Sequence, residues 1–200
     1  FVRDFNGDER NDLLYLCQDE STPLCYRFQG KNGRLGPEIR CKAPSVSGAT
    51  TVDADGDGAH EPVVIQSKSG QLVVYDLARR ESAGARLAGP VERYTLRQAS
   101  SNLPRALAAG RFRRRDRVDL LVTDPEGAEI EYFVQAEPGR WHRRAGFPSL
   151  RAATDIAAVD TNEDGIDEVL VLSPAEPQLG LSTFDANGRL AFPTPLPLVG

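Results

Sequence analysis

A short acidic pattern, repeated along the chain and each time followed at once by an apolar run, constrains this sequence more than any other feature. The stretch VDADGDGAHEPVVI, Val52–Ile65, carries Asp53, Asp55, Asp57 and Glu61. RDFNGDERNDLLYL carries Asp4, Asn6, Asp8 and Asp12, and VDTNEDGIDEVLVL carries Asp160, Asn162, Asp164 and Glu168. In each, oxygen-bearing side chains stand at loop positions one, three, five and nine. The runs that follow, Leu13–Leu16, Pro62–Ile65 and Val169–Leu172, are short and rich in Val, Ile and Leu. They read as buried strands rather than amphipathic helices. A chain with such a period folds as a series of like units.

The spacing exposes a hidden unit. The gap from Asp53 to Asp160 is 107 residues, about twice the gap of 49 from Asp4 to Asp53. A unit aligned from Arg111 (AAGRFRRRDRVDLLVT) matches Phe112 to Phe5, Asp119 to Asp12 and Leu120-Leu121 to Leu13-Leu14, and the gaps become 49, 58 and 49. An aromatic recurs 22 to 24 residues after each start, at Phe28, Tyr75, Phe133 and Phe184. Turn signals (DESTP, KSG, DPEG, SPAEPQ) separate the two apolar runs of each unit. A short run (GATTV, RALAA, TDIAAV) precedes each later loop, and NGRL occurs twice, at Asn32–Leu35 and Asn187–Leu190. Each unit therefore holds four short strands. In the second they are expected near Thr50–Val52, Val63–Gln66 and Gln71–Asp76, with a fourth between Arg86 and Thr95.

No amphipathic helix of three turns is visible. Period and content predict an all-β chain, a β-propeller region of four consecutive blades of four antiparallel strands. The units run over residues 1–45, 46–103, 104–152 and 153–200. Four blades is the lower limit for a closed ring, so an arc of a seven- or eight-bladed ring is expected.

Carboxylates this close repel one another unless a cation sits among them. Ca²⁺ takes about six to eight oxygen ligands, and alternate loop residues can point at one ion. Gly56 and Gly58 suit a tight wrap. A solvated Asp-Gly turn is the alternative for a single copy, but three copies at matched spacing speak against it. Position seven is Arg10, Ala59 or Ile166, which fits a ligand contributed by the backbone carbonyl alone. The loop is not an EF-hand, which needs an acid at position twelve; here that position is Tyr15, Val64 or Val171. About three structural Ca²⁺ sites are expected, filled at extracellular calcium, with affinities of roughly 10⁻⁴–10⁻³ M. In the third unit Arg111, Arg113 and Arg115 replace the ligands. They are expected to pair with Asp116, Asp119 or Asp124, or with a neighbouring blade. The competing reading makes Arg111–Arg117, with Arg105, an anion site.

These loops resemble those of FG-GAP and VCBS-type repeats, found in integrin α-subunit propellers and in many bacterial extracellular proteins. The resemblance spans essentially the whole chain. It implies Ca²⁺ between the first two strands of a blade. The implied ligands are Asp4, Asn6, Asp8 and Asp12; Asp53, Asp55, Asp57 and Glu61; and Asp160, Asn162, Asp164 and Glu168, with the carbonyls of Arg10, Ala59 and Ile166. It also implies an extracellular adhesion or scaffold role, with a protein or glycan as the ligand.

The remaining features narrow the function classes. The net charge is −5, which gives no reason to expect a nucleic-acid partner. Apolar runs are too short to span a membrane, and no signal peptide is visible. The chain has no Met and begins at Phe1 in a strand-like run, so it reads as a piece of a longer protein; the calcium loops and the resemblance lead to the expectation that this protein is secreted, periplasmic or on a cell surface. Cys17 and Cys25 flank a turn and Cys41 follows; a disulfide among them and free thiols both stay open. His60 and His142 read as surface residues and Trp141 as a core aromatic. No nucleophile elbow, HExxH or Walker loop is present. A non-catalytic binding or scaffold propeller is expected. The alternatives are a glycan-cleaving propeller and a module of an enzyme or toxin whose chemistry lies outside these residues.

Overall fold

The computed structural model describes residues 1–17, 21–41, 43, 45–67, 69–77, the backbone of 90–95, and 105–197. Contacts divide the chain into two compact units, Phe1–Arg97 and Gln98–Gly200, and each contains two four-stranded sheets.

In the first unit one sheet is formed by β1 (Val2–Arg3), β2 (Asp12–Leu16), β3 (Leu24–Arg27) and β4 (Ile39–Cys41). The other is formed by β5 (Val46–Val52), β6 (Glu61–Gln66), β7 (Gln71–Tyr75) and β8 (Pro90–Thr95). The second unit holds β9 (Leu107–Gly110), β10 (Asp119–Asp124), β11 (Glu129–Glu137) and β12 (Arg140–Pro148) in one sheet. Its other sheet is β13 (Asp155–Val159), β14 (Glu168–Ser173), β15 (Gln178–Ser182) and β16 (Thr194–Pro195). Every pairing is antiparallel between strands consecutive in the chain, so each sheet is a simple meander, the form of a propeller blade. No helix occurs among the described residues, and none is long and apolar enough to cross a membrane.

The second strands carry the burial. In β6 all six residues are buried, and in β10 likewise, which is why their sequences read as continuous apolar runs rather than as alternation. Among the described residues each unit packs a core between its two sheets. Phe5, Leu14, Tyr26 and Cys41 meet Val64, Val73, Tyr75 and Leu77 in the first. Phe112, Leu121, Tyr132 and Phe147 meet Ile156, Val169, Val171 and Leu190 in the second. Three of the recurrent aromatics, Phe28, Tyr75 and Phe184, lie in or against these cores, while Phe133 is buried outside them; Phe184 stacks obliquely on Tyr132, ring centroids 4.9 Å apart. Trp141 is buried, and its indole N–H donates to the Val118 carbonyl at 2.8 Å.

The first strand of the second sheet is longer than expected, because a register shift between Val46 and Gly48 lets pairing continue past an irregularity. The fourth strand falls within the expected window at Pro90–Thr95; residues 86–89 of that expectation lie outside the described residues. Cys17 and Cys25 form a disulfide, Cα–Cα 6.2 Å, that closes the β2–β3 turn. Cys41 is buried and belongs to no disulfide.

Candidate functional site

Each acidic loop joins the first strand of a sheet to its second, β1 to β2, β5 to β6 and β13 to β14. The backbone wraps the same way in all three. Positions four and six lie in the left-handed region: Gly7 and Glu9 (φ 74° and 63°), Gly56 and Gly58 (83° and 91°), Glu163 and Gly165 (60° and 82°). That wrap turns successive N–H groups inward. In the first loop Asp4 Oδ1 accepts from Asn6, Gly7 and Asp8 at 3.0, 2.8 and 3.3 Å, and its Oδ2 accepts from Glu9 at 2.6 Å. Burial alone would raise the Asp4 carboxyl, but these four donors outweigh it and hold it below the usual range. Asp53 accepts from Gly56 and Gly58 at 2.8 and 3.2 Å, and Asp160 accepts from Asp164 and Gly165 at 3.1 and 2.8 Å.

Position nine is buried in every sheet: Asp12, Glu61, Asp119 and Glu168. It pins the loop from beneath. Asp12 accepts from Phe5 N–H at 3.0 Å and Gln29 N–H at 2.7 Å. Glu61 accepts from Ala54 N–H, and Glu168 from Thr161 N–H, each at 2.8 Å. Burial pushes the Asp12 carboxyl up against these bonds, helped by Asp8 and Asp4.

The second loop has the strongest metal character. One oxygen each from Asp53, Asp55 and Glu61 come within 4.8 Å of one another. Burial pushes Glu61 up to about 8, opposed by the Ala54 N–H and reinforced by Asp55, Asp57 and Asp53. The Asp55 carboxyl is raised for the same reasons, burial first and then Asp57 and Asp53. Crowded acids that resist ionisation are the donor set a divalent cation would relieve. Oxygen donors suit Ca²⁺ chemically. Among the described residues the first and fourth loops do not gather three carboxylates in this way. Each has Asn at position three. In the first, Asp8 pairs with the Arg10 guanidinium; in the fourth, Asn162 Nδ2 donates to Glu168 at 3.1 Å and the Thr161 hydroxyl also donates to Glu168.

The arginine loop departs from expectation. Among the described residues, Arg111, Arg113 and Arg115 form no ion pair with Asp116, Asp119 or Asp124. Asp116 pairs with Arg114 at 2.6 Å, both exposed. Asp124 and Glu131 instead pair with Arg105, at 3.6 and 3.3 Å. Arg105, read from the sequence as part of a basic cluster, is thus a buried ion-pair partner, and Arg143 reaches the other Glu131 oxygen at 3.1 Å. The Tyr132 hydroxyl donates to Asp119 with the Arg113 guanidinium nearby, and burial together with that donation raises the phenol. Arg113 and Arg115 lie over turns of the fourth sheet. A Cβ at Gly165 would lie 3.1 Å from Arg115 Nε, and one at Gly188 2.5 Å from Arg113 Cζ. Glu131 carried no sequence signal, since one acid in an alternating strand reads as solvent-facing.

A backbone stitch links neighbouring loops in each unit, and pattern reading missed it. His60 N–H donates to the Asp4 carbonyl at 2.7 Å, and Asp167 N–H donates to the Arg111 carbonyl at 3.0 Å. Both join position eight of one loop to position one of the loop before it. His60 is half-buried, and burial, then Arg3, lowers its imidazole pKa.

Neither a protein-family model nor a curated protein matches the chain. Among solved structures it is similar to an Agrocybe aegerita lectin described as specifically recognising non-reducing terminal N-acetylglucosamine. The TM-score is 0.66 at 11% identity, over 97% of this chain and 50% of that one. It is also similar to a protein from Lactobacillus plantarum, with a TM-score of 0.65 at 14% identity over 96% of this chain and 52% of that one. The fold is that of a β-propeller. The chain spans about half the length of each of these two proteins.

Proposed function

We propose that this chain is a non-catalytic, calcium-stabilised propeller region of FG-GAP/VCBS type that binds glycan or protein outside the cell. The observation that carries the metal part is the second loop, where Asp53, Asp55 and a buried Glu61 converge and repel. Asp53, Asp55, Asp57 and Glu61, with the Ala59 carbonyl, would hold the ion there. Their counterparts Asp4, Asn6, Asp8, Asp12 and the Arg10 carbonyl would do so in the first loop, and Asp160, Asn162, Asp164, Glu168 and the Ile166 carbonyl in the fourth. The ion supplies positive charge and closes the loop; the chain's own residues orient the strand behind it. The glycan part is supported by the likeness of fold to a lectin. The likeness covers about half of that lectin, and further blades of one ring are part of the proposal.

Calorimetric titration of chelated protein tests the metal reading. About three equivalents are expected, with the second loop filling first and Asp55→Ala removing that step. No binding, and a melting temperature indifferent to EDTA, would overturn it. A glycan array that includes terminal N-acetylglucosamine tests the ligand class. Polysaccharide turnover by the purified chain would instead favour the glycan-cleaving alternative.

A further inference from the structure

The two Asn-Gly-Arg-Leu segments fold into the same turn. Gly30 N–H donates to the Arg34 carbonyl, and Asp185 N–H to the Arg189 carbonyl, each at 2.9 Å. Gly33 N–H donates to Gly30, and Gly188 N–H to Asp185, again at 2.9 Å. Bridges Gln29–Leu35 and Phe184–Leu190 close both. Gly33 and Gly188 have φ of 72° and 75°, which explains Asn-Gly. Turn geometry does not explain the exposed arginine that follows.

Each turn borders a groove. The first, about 520 Å³, is lined by Asp8, Arg10, Phe28, Asn32, Arg34 and Leu35 among others. The second, about 340 Å³, is lined by Pro148, Asp185, Arg189, Leu190, Ala191 and Phe192. Both combine an exposed arginine, a carboxylate and apolar surface left open to solvent. Leu35 is 43% exposed and Phe192 55%. Planar donors and carboxylate acceptors beside an apolar wall match the chemistry of a sugar. Each hydroxyl both donates and accepts, and the C–H face packs on carbon. The volumes fall in the range of small-ligand sites, about 300–1,000 Å³, but both grooves are open, which suits one or two sugar residues. Asp185 beside Arg189 disfavours an anionic ligand in the second groove.

We infer that each of these two turns frames a binding groove for a neutral mono- or disaccharide, the first towards its acidic loop and the second towards Pro148, with Arg34 and Arg189 as the principal donors. This rests on the glycan-binding reading and names its site. The test is an amide-shift titration of the calcium-loaded chain with methyl glycosides of neutral hexoses and N-acetylhexosamines. Shifts are expected at Gly30, Asn32 and Leu35 and at Asn187 and Leu190. Arg34→Gln and Arg189→Gln should each weaken one of two sites by about tenfold or more, the loss expected for a charged hydrogen bond, with unchanged melting. Binding that maps elsewhere and survives the double variant overturns this inference and leaves the glycan reading intact. Binding restricted to sulfated or uronate sugars overturns the neutral assignment. Failure of every glycoside, here and on the array, overturns both.

Discussion

In the first loop the backbone enters the left-handed region at Gly7 and Glu9; in the third, the equivalent Arg114 and Asp116 stay out of it. The cause is position one. Asp4 accepts four loop N–H groups and draws the chain around itself, whereas a guanidinium at Arg111 has no acceptor to offer. Beneath that difference the two loops share a scaffold. Asp12 and Asp119 accept the N–H of Gln29 and Gln135 at 2.7 and 2.8 Å. Arg10 and Arg117, both at position seven, donate to the carbonyls of the same glutamines at 2.8 and 3.2 Å. Each position-one carbonyl accepts the stitch from the next loop. Two jobs are therefore separable: positions seven and nine anchor the second strand, and positions one, three and five form the cradle. The third loop has lost the cradle and kept the anchor.

Truncating the anchor should have the largest effect. Asp12→Ala and Asp119→Ala each remove a buried carboxylate that accepts two hydrogen bonds, for about 2–4 kcal/mol apiece. At this chain length that lowers the melting temperature by roughly 4–16 °C. Saturating Ca²⁺ should leave the Asp119→Ala loss untouched; rescue by Ca²⁺ would show that the third loop still holds an ion.

Next comes pH, which isolates the cradle of the second loop. Glu61 has its folded value raised from 4.5 to about 8. Below pH 4.5 it is neutral in both states. Between there and about 8 only the unfolded chain ionises, so calcium-stripped protein should lose stability as pH rises through that window. Ca²⁺ favours the carboxylate and should reverse the slope, and Glu61→Gln should flatten it. Melting curves of the chelated protein at pH 5 and 8 decide; a stripped protein that gains stability towards pH 8, and loses that gain in Glu61→Gln, contradicts the reading.

Arg113→Met should cost about 1 kcal/mol or less by removing the positive charge beside the Tyr132–Asp119 pair. It should leave the Ca²⁺ stoichiometry unchanged, as calorimetry can check. The smallest effect concerns the wrap. A non-glycine residue in the left-handed region costs about 1–2 kcal/mol, against roughly 0.5–1 kcal/mol of extra entropy for glycine. Glu163→Gly should therefore gain a few tenths of a kcal/mol, whereas Arg114→Gly, outside that region, should lose about as much in urea denaturation.

Reading the acidic spacing located all three cradles and the buried carboxylate at position nine, because ligand alternation and the apolar strand behind it are local in sequence. The arginine substitutions were equally visible, but their partners were not. Nearby acids such as Asp116 and Asp119 are neighbours along the chain, and proximity in sequence suggested pairing. The fold instead sends Arg113 to Tyr132 on the next strand but one and lays Arg115 over Gly165, some fifty residues away.

Period, turn chemistry and apolar runs thus determined the blade order, the strands and the candidate ligands, since each depends on residues a few places apart. Which loops crowd their acids was decided only by tertiary structure. Glu61 and Glu168 are the same residue at the same loop position, yet Glu61 faces three aspartates and Glu168 receives the Asn162 amide and the Thr161 hydroxyl. Electrostatic repulsion and hydrogen bonding depend on distance and burial, and those quantities exist only once the sheets have packed.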